Sequence, residues 1–149
     1  MKATITGGKN LQKILQRNMK AESASMSYGF YPEATYPEGT FVAEVAQKNE
    51  FGQGNVPERP FFRHANSLLD EDIKKGCVGI ALEKSKTIVS NKKLRIIGNM
   101  AVNKLRSAIV GRGIEYTPNA PSTIDAKGSS KPLVDTDRLI QSATFKIEN

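Results

Sequence analysis

The residues of this chain that could take part in catalysis are few. Asp135-Thr136 has the residue types of one half of a two-carboxylate hydrolytic site, in which two Asp side chains must share one proton. The dipeptide occurs once in the sequence, and Asp137 follows it in place of the glycine of such a loop. Because Asp and Thr side chains accept hydrogen bonds from the first amides of a helix, a cap explains the same residues. We expect Asp135 or Thr136 to cap a short helix through Leu139 and Ile140.

Metal and nucleophile chemistry have little support. His64 is the only histidine and Cys77 the only cysteine, so neither has a second ligand at the spacing of a zinc site. Gly7-Gly8-Lys9 lacks the Gly-x-x-x-x-Gly-Lys-Ser/Thr spacing that wraps backbone amides around a phosphate. No stretch combines a nucleophile, a base and oxyanion donors. The sequence therefore predicts a protein that is not an enzyme and that uses no metal and no cofactor.

The net charge of +7 is unevenly distributed over the 149 residues. Residues 1–20 hold five basic residues and no acid, residues 21–58 hold six Glu and one Lys, and residues 84–112 hold eight basic residues and no acid. Such separation suits the acidic face of a neighbouring copy or a nucleic acid. A solvated helix face explains the basic segment equally well, since long basic side chains commonly cover exposed helices.

Apolar periodicity predicts the elements that position these residues. Alternating apolar residues predict strands over 25–31 and 143–147. Helical spacing predicts a helix from Thr40 that ends at Gly52, a second helix that starts at Asp70, and a third over 94–109 that ends at Gly111 and Gly113. Pro60 predicts that Phe61 and Phe62 begin as an extended segment with one Phe in the core.

Residues 117–134 are predicted to form a flexible arm or loop, because Pro, Ser, Thr and Gly dominate them and such a composition cannot build a core. We therefore predict an α+β fold in one domain over residues 1–149. It has a mixed or antiparallel sheet packed with about three to four helices, and a long Pro/Ser/Gly loop near the C-terminus. The longest apolar run, over 77–82, is far shorter than the ~20 residues of a membrane span. No signal pattern opens the chain, so we expect folding in a cytoplasm and no membrane contact.

Three motifs support a family resemblance. The pattern Tyr-Pro-x-Gly-x-x-Val-Ala-x-Val-Ala-x-x-x-Glu-Phe-Gly is matched from Tyr36 to Gly52, and Pro-x-Arg-Pro-Phe-Phe-Arg is matched from Pro57 to Arg63. A loop over 119–136 reads NAPSTIDAKGSSKPLVDT. In this order the motifs resemble the tail-completion (neck) and virion morphogenesis proteins of tailed bacteriophages, over about residues 28–147. The family usually has Gly after Asp-Thr, where this chain has Asp137.

The resemblance implies a non-enzymatic structural virion protein, assembled in the host cytoplasm, that completes the tail and joins it to the head. It implies a ring of identical subunits, hexameric or a related multiple, that binds tail tube or terminator and head-connector proteins and makes non-specific contact with DNA in the channel. Charge layout and loop composition suggest the interface residues: Lys9, Lys13, Arg17, Ser122, Thr123, Lys127, Gly128, Lys131 and Pro132.

Two alternatives stay open. A small basic nucleic-acid-binding protein would use residues 84–112, although aromatic stacking residues are missing from that segment. The motifs around Glu50 and Arg59 are also explained by packing alone, if the Phe61-Phe62 pair covers the sheet and Phe51-Gly52 closes a helix.

Overall fold

The computed structural model describes residues 25–75, 91–134 and 137–148. In chain order their elements are β1 (Ser25–Gly29), α1 (Val42–Phe51), α2 (Phe61–Lys74), α3 (Asn91–Ile109), α4 (Pro121–Lys127), α5 (Arg138–Ser142) and β2 (Thr144–Glu148). Five helices and a two-stranded antiparallel sheet make an α+β fold, as the sequence predicts.

The sheet joins the two ends of the described chain. β1 pairs antiparallel with β2, with Ser25 opposite Glu148 and Gly29 opposite Thr144. Exposed and half-buried residues alternate along both strands. This is the pattern of a sheet with one face on the core and one face in water, and it confirms both predicted strands to within two residues.

Helix α3 is the central element, because α2 and both strands pack against it. The helix confirms the segment predicted over 94–109, and Gly111 and Gly113 follow its end at φ 78° and 79°. At Gly98 the helix lies so close to β2 that an added Cβ would be 2.5 Å from Cδ2 of Phe145. Only a residue without a side chain permits this approach.

The core lies between α1, α2, α3 and α5. Its largest fully buried side chains are Phe61, Leu105, Ile109 and Val42. Phe61 is therefore the core Phe that the sequence predicts. Its neighbour Phe62 is half-buried and stacks on Tyr28 of β1, with ring centroids 5.2 Å apart.

The predicted extended segment at Phe61-Phe62 and the predicted helix start at Asp70 were both wrong. Phe61 and Phe62 are helical from the outset, because a proline restricts the residue before it and leaves the residues after it free to enter a helix. Asp70 therefore lies inside α2 rather than at a helix start. Asp72, farther along the same helix, forms an ion pair with Lys104 of α3 at 2.8 Å.

The predicted cap of α1 was also wrong. Phe41 takes the N-cap position, and no side chain caps the helix there. The predicted end is confirmed, since Gly52 follows the helix at φ 68°. A Cβ added to Gly52 would lie 3.0 Å from the backbone nitrogen of Glu58, so the chain turns tightly there.

The long loop near the C-terminus contains the short helix α4, which the sequence analysis did not predict. Pro121 opens α4, and Gly128 ends it in the left-handed conformation with its N–H on the carbonyl of Ile124. Pro at the start and Gly just beyond the end are favourable residues for these positions. Asp135 and Thr136 lie outside the described residues, and Asp137 takes the N-cap position of α5 without a side-chain cap.

Asp137 has φ 56° and ψ 3°, in the left-handed region that favours glycine. This is the position at which the resembled family usually has Gly. Asp is tolerated there better than most residues, because its short polar side chain can bond locally.

We predict that Asp137→Gly raises the free energy of unfolding by about 0.5 kcal/mol, since Gly removes the Cβ strain of a positive φ. Asp137→Ala is the matched control and should lower it by about 1 kcal/mol, because Ala keeps the Cβ and adopts the left-handed conformation less readily than Asp. Urea denaturation of the three proteins measures both effects. An Ala variant as stable as the Gly variant would contradict the argument.

Candidate partner-binding site

The buried carboxylate of Glu50 joins α1 to α2. Glu50 continues the buried stripe of Val42 and Ala46 on α1 and is only 4% exposed. Its Oε2 accepts the N–H of Phe62 at 2.7 Å, and its Oε1 accepts the N–H of Arg63 at 3.0 Å. These amides belong to the first turn of α2, where backbone N–H groups have no partner within the helix. A residue of α1 thus caps α2, and its negative charge lies at the positive end of the helix dipole.

Arg63 covers this carboxylate on the solvent side. Its Nε–H donates to Oε1 of Glu50 at 2.9 Å, and its Nη2 donates to the carbonyl of Glu50 at 2.9 Å and to the carboxylate of Glu58. The hydrogen bonds to Glu58 and Glu50 raise the pKa of the Arg63 guanidinium. Its guanidinium carbon also lies 5.5 Å from the ring centroid of Phe51. Phe51 is 63% exposed, so its ring does not pack into the core at the end of α1.

Arg59 fixes the start of the arm to the body. It is 5% exposed, and burial lowers the pKa of its guanidinium. Nε donates to the carbonyl of Thr117 at 3.0 Å, Nη1 to Oδ1 of Asn49 at 3.0 Å, and Nη2 to the carbonyl of Pro118 at 3.3 Å and Oδ1 of Asn119 at 3.1 Å. A planar guanidinium suits this task, since its donors point in fixed directions.

The arm returns to the same point of the body. Nδ2 of Asn119 lies 3.4 Å from the carbonyl of Ser130 and 3.3 Å from that of Lys131, and Nζ of Lys127 donates to the Lys131 carbonyl at 2.7 Å. Both ends of the arm are therefore tied near Arg59. None of the residues of α4, between these ends, is buried.

The structure brings together six of the residues predicted as interface. Ser122, Thr123, Gly128 and Lys131 are exposed, and Lys127 and Pro132 are half-buried. All six lie on the arm. The other three, Lys9, Lys13 and Arg17, lie outside the described residues.

An open groove of about 530 Å³ separates the arm from the body. The turn over Tyr36-Pro37-Glu38, closed by the Gly39 N–H on the Tyr36 carbonyl at 2.9 Å, forms one wall with α1. Thr123 and Lys127 of α4 form the other wall. We call this space the arm groove.

Much of the charge that the sequence suggests for partners is used within the subunit. Of the described Glu residues in 21–58, Glu33 pairs with Lys146, Glu44 with Lys48, and Glu50 and Glu58 with Arg63. In the basic segment, Lys104 pairs with Asp72, and Arg106 donates to the carbonyls of α5 residue Ile140 and of Ala143. Within the described residues, the charge separation of the sequence is thus partly neutralised by the fold.

The candidate catalytic residues form no site in the described part of the chain. Nε2 of His64 is buried without a hydrogen-bond partner there, and a Cβ added to Gly113 would lie 3.6 Å from it. Cys77 and Asp135 lie outside the described residues. In the described ranges no cluster of three or more His, Cys, Asp and Glu side chains could hold a metal ion, and no helix is long and apolar enough to cross a membrane.

Comparisons of the chain with protein families, with curated proteins and with solved structures found no match.

Sequence reasoning identified the motifs around Glu50 and Arg59 but not what these two residues do. The available signal was a Glu on the apolar stripe of α1, four residues after Ala46 and eight after Val42. A carboxylate at such a position requires a buried set of donors. The packing interpretation holds for Phe61 and Phe62, whereas Glu50 and Arg59 act through hydrogen bonds.

We predict that Glu50→Gln lowers the free energy of unfolding by about 2 kcal/mol, because the amide has one acceptor oxygen for three buried or half-buried donors and carries no charge. Glu44→Gln is the matched control, and it should cost less than about 0.5 kcal/mol because Glu44 forms an exposed ion pair. Chemical denaturation measures both. Equal losses in the two variants would show that Glu50 is not a structural cap.

We predict that Asn119→Ala loosens the arm, since it removes the link between Arg59 and the carbonyls of Ser130 and Lys131. The Gly128 amide, which donates to the Ile124 carbonyl, should exchange its hydrogen about tenfold faster. Amides of α3 should keep their protection. The control is Asn103→Ala on the exposed face of α3, and unchanged exchange in the arm of the Asn119 variant would contradict the anchoring role.

Proposed function

We propose that the chain is a non-enzymatic structural virion protein of the neck or tail junction of a tailed bacteriophage. In this proposal identical subunits form a ring, hexameric or a related multiple, that is assembled in the host cytoplasm. The ring completes the tail, joins it to the head connector, and binds tail tube or terminator proteins. The support from sequence is the resemblance of the three motifs, and the support from structure is the arm.

One observation carries the proposal: the arm is an ordered element that buries none of its helix. A helix of seven residues is marginal in water without packing partners. This one is held because both ends of the arm are tied near Arg59 and Asn119, and none of its residues is buried. An element fixed at its base and unpacked at its tip is suited to contact another subunit or ring.

A ring requires each subunit to offer two different surfaces to its neighbours. The arm supplies one of them. In the proposal, the basic residues Lys9, Lys13 and Arg17 contribute to the other. Because ion pairs inside the subunit already satisfy most of the described Glu residues of 21–58, the arm carries more of this proposal than charge separation does.

The second candidate, a nucleic-acid-binding protein, has one structural observation in its favour. Arg95 and Arg112 are exposed and make no side-chain ion pair or hydrogen bond with other described residues. Such guanidinium groups can neutralise phosphates without reading sequence. Within the ring proposal, the same residues are those we expect to face DNA in the channel.

We predict that the protein assembles into particles of one discrete multiple of its mass without nucleic acid, as measured by light scattering over a range of concentrations. Reversing the charge of Lys9, Lys13 and Arg17 together should shift the mass toward the monomer, because like charges then meet across the interface. The matched control reverses Lys93, Arg95 and Arg112, and it should keep the assembly.

Other outcomes separate the candidate functions. A monomer that changes mass only with DNA, and loses this response when Lys93, Arg95 and Arg112 are reversed, would favour the nucleic-acid-binding protein. Deletion of 122–130 tests the arm, and it should leave the fold intact while abolishing tail joining in phage complementation. Full tail joining by that variant would remove the arm from the proposal.

A further inference from the structure

The arm groove has an apolar floor and charged walls. Val45, Val56, Leu133 and Leu139 line its floor, and Arg59 and Lys127 place positive charge beside it. Glu38 lies on the opposite rim and makes no ion pair with the described residues. A ligand in this open groove could therefore contact apolar and cationic side chains at the same time.

The Arg59 charge is buried without a counter-charge from the part of the chain that the structure describes. All four of its side-chain hydrogen bonds go to carbonyl or amide oxygens, and no described carboxylate lies within ion-pair distance. A guanidinium has five N–H donors, so these four bonds leave one donor on Nη1. Burial of an ion without an opposite charge is costly. The other buried charge, Glu50, is by contrast paired with Arg63.

We propose that the arm groove binds an extended acidic segment of a partner protein, with a carboxylate beside Arg59 and Lys127 and apolar side chains on the groove floor. Charge complementarity to the two cations and the apolar floor together favour a peptide. A nucleic acid fits less well, because its backbone offers no apolar side chains for the groove floor. The inference rests on the groove alone, and it holds whether or not the protein forms a ring.

The test uses the full chain and a fluorescent peptide of alternating Leu and Glu residues, with fluorescence anisotropy as the readout. A second peptide of alternating Leu and Gln is the ligand control. We expect the Glu peptide to bind at least about tenfold more tightly than the Gln peptide. Lys127→Glu should lower the affinity for the Glu peptide by about tenfold, and Glu38→Gln should raise that affinity severalfold.

Lys74→Glu is the matched control variant, because it makes the same charge change at an exposed residue in the last turn of α2 that does not line the groove. It should bind the Glu peptide nearly as well as the parent. Equal binding of the two peptides, equal losses in the Lys127 and Lys74 variants, or no binding at about 1 mM peptide would overturn the inference. Displacement of the peptide by a short oligonucleotide at lower concentration would also overturn it. Light scattering on the same samples reports assembly separately, so the failure of the ring proposal would be distinguishable.

Discussion

The fold depends on a carboxylate buried at the end of α1. The first amides of α2 must be satisfied away from water, and the nearby Arg59 carbonyl accepts only that of Phe61, at 2.8 Å. Glu50 accepts two further amides, at 2.7 and 3.0 Å, although residues 52–60, the connector between α1 and α2, separate it from them in sequence. This fixes the position of α2 relative to α1. Phe61, the largest fully buried side chain of the core, is placed by the same turn.

The same connector also holds the arm, through the positive charge of Arg59. Arg59 donates four side-chain hydrogen bonds to neutral oxygens, three of them on Thr117, Pro118 and Asn119. The fourth goes to Oδ1 of Asn49, and the backbone N–H of Arg59 donates to the Asn49 carbonyl at 2.6 Å, so Arg59 is tied to the end of α1 as well. One short segment therefore orients both the core helices and the surface arm. A substitution in this segment would therefore affect both the stability of the packed helices and the position of the proposed interface.

Elements with strong local periodicity were predictable from the sequence, namely both strands and α3. The start of α2 was not predictable, because the carboxylate that caps it comes from Glu50 of another helix. The local signal, the acidic run that begins at Asp70, indicates a start nine residues too late. Helix α4 was not predicted, because the segment has the composition of a loop, although Pro121 and Gly128 are typical of a helix start and a helix end. The arm residues of the candidate site were proposed from the composition of their loop. Their anchoring by Arg59 was not, because it depends on two segments that are far apart in the chain.

The distribution of ion pairs constrains the partner recognition that we propose. Four Glu residues that look like an acidic surface in the sequence are paired within the subunit, so long-range attraction between copies would be weaker than the sequence suggests. In the proposed function, recognition therefore depends on short-range contacts, in which shape and desolvation matter more than net charge. The arm and its groove would supply such contacts side by side. An arm anchored at its base also loses less conformational entropy on binding than a disordered one would, which favours affinity from a small surface.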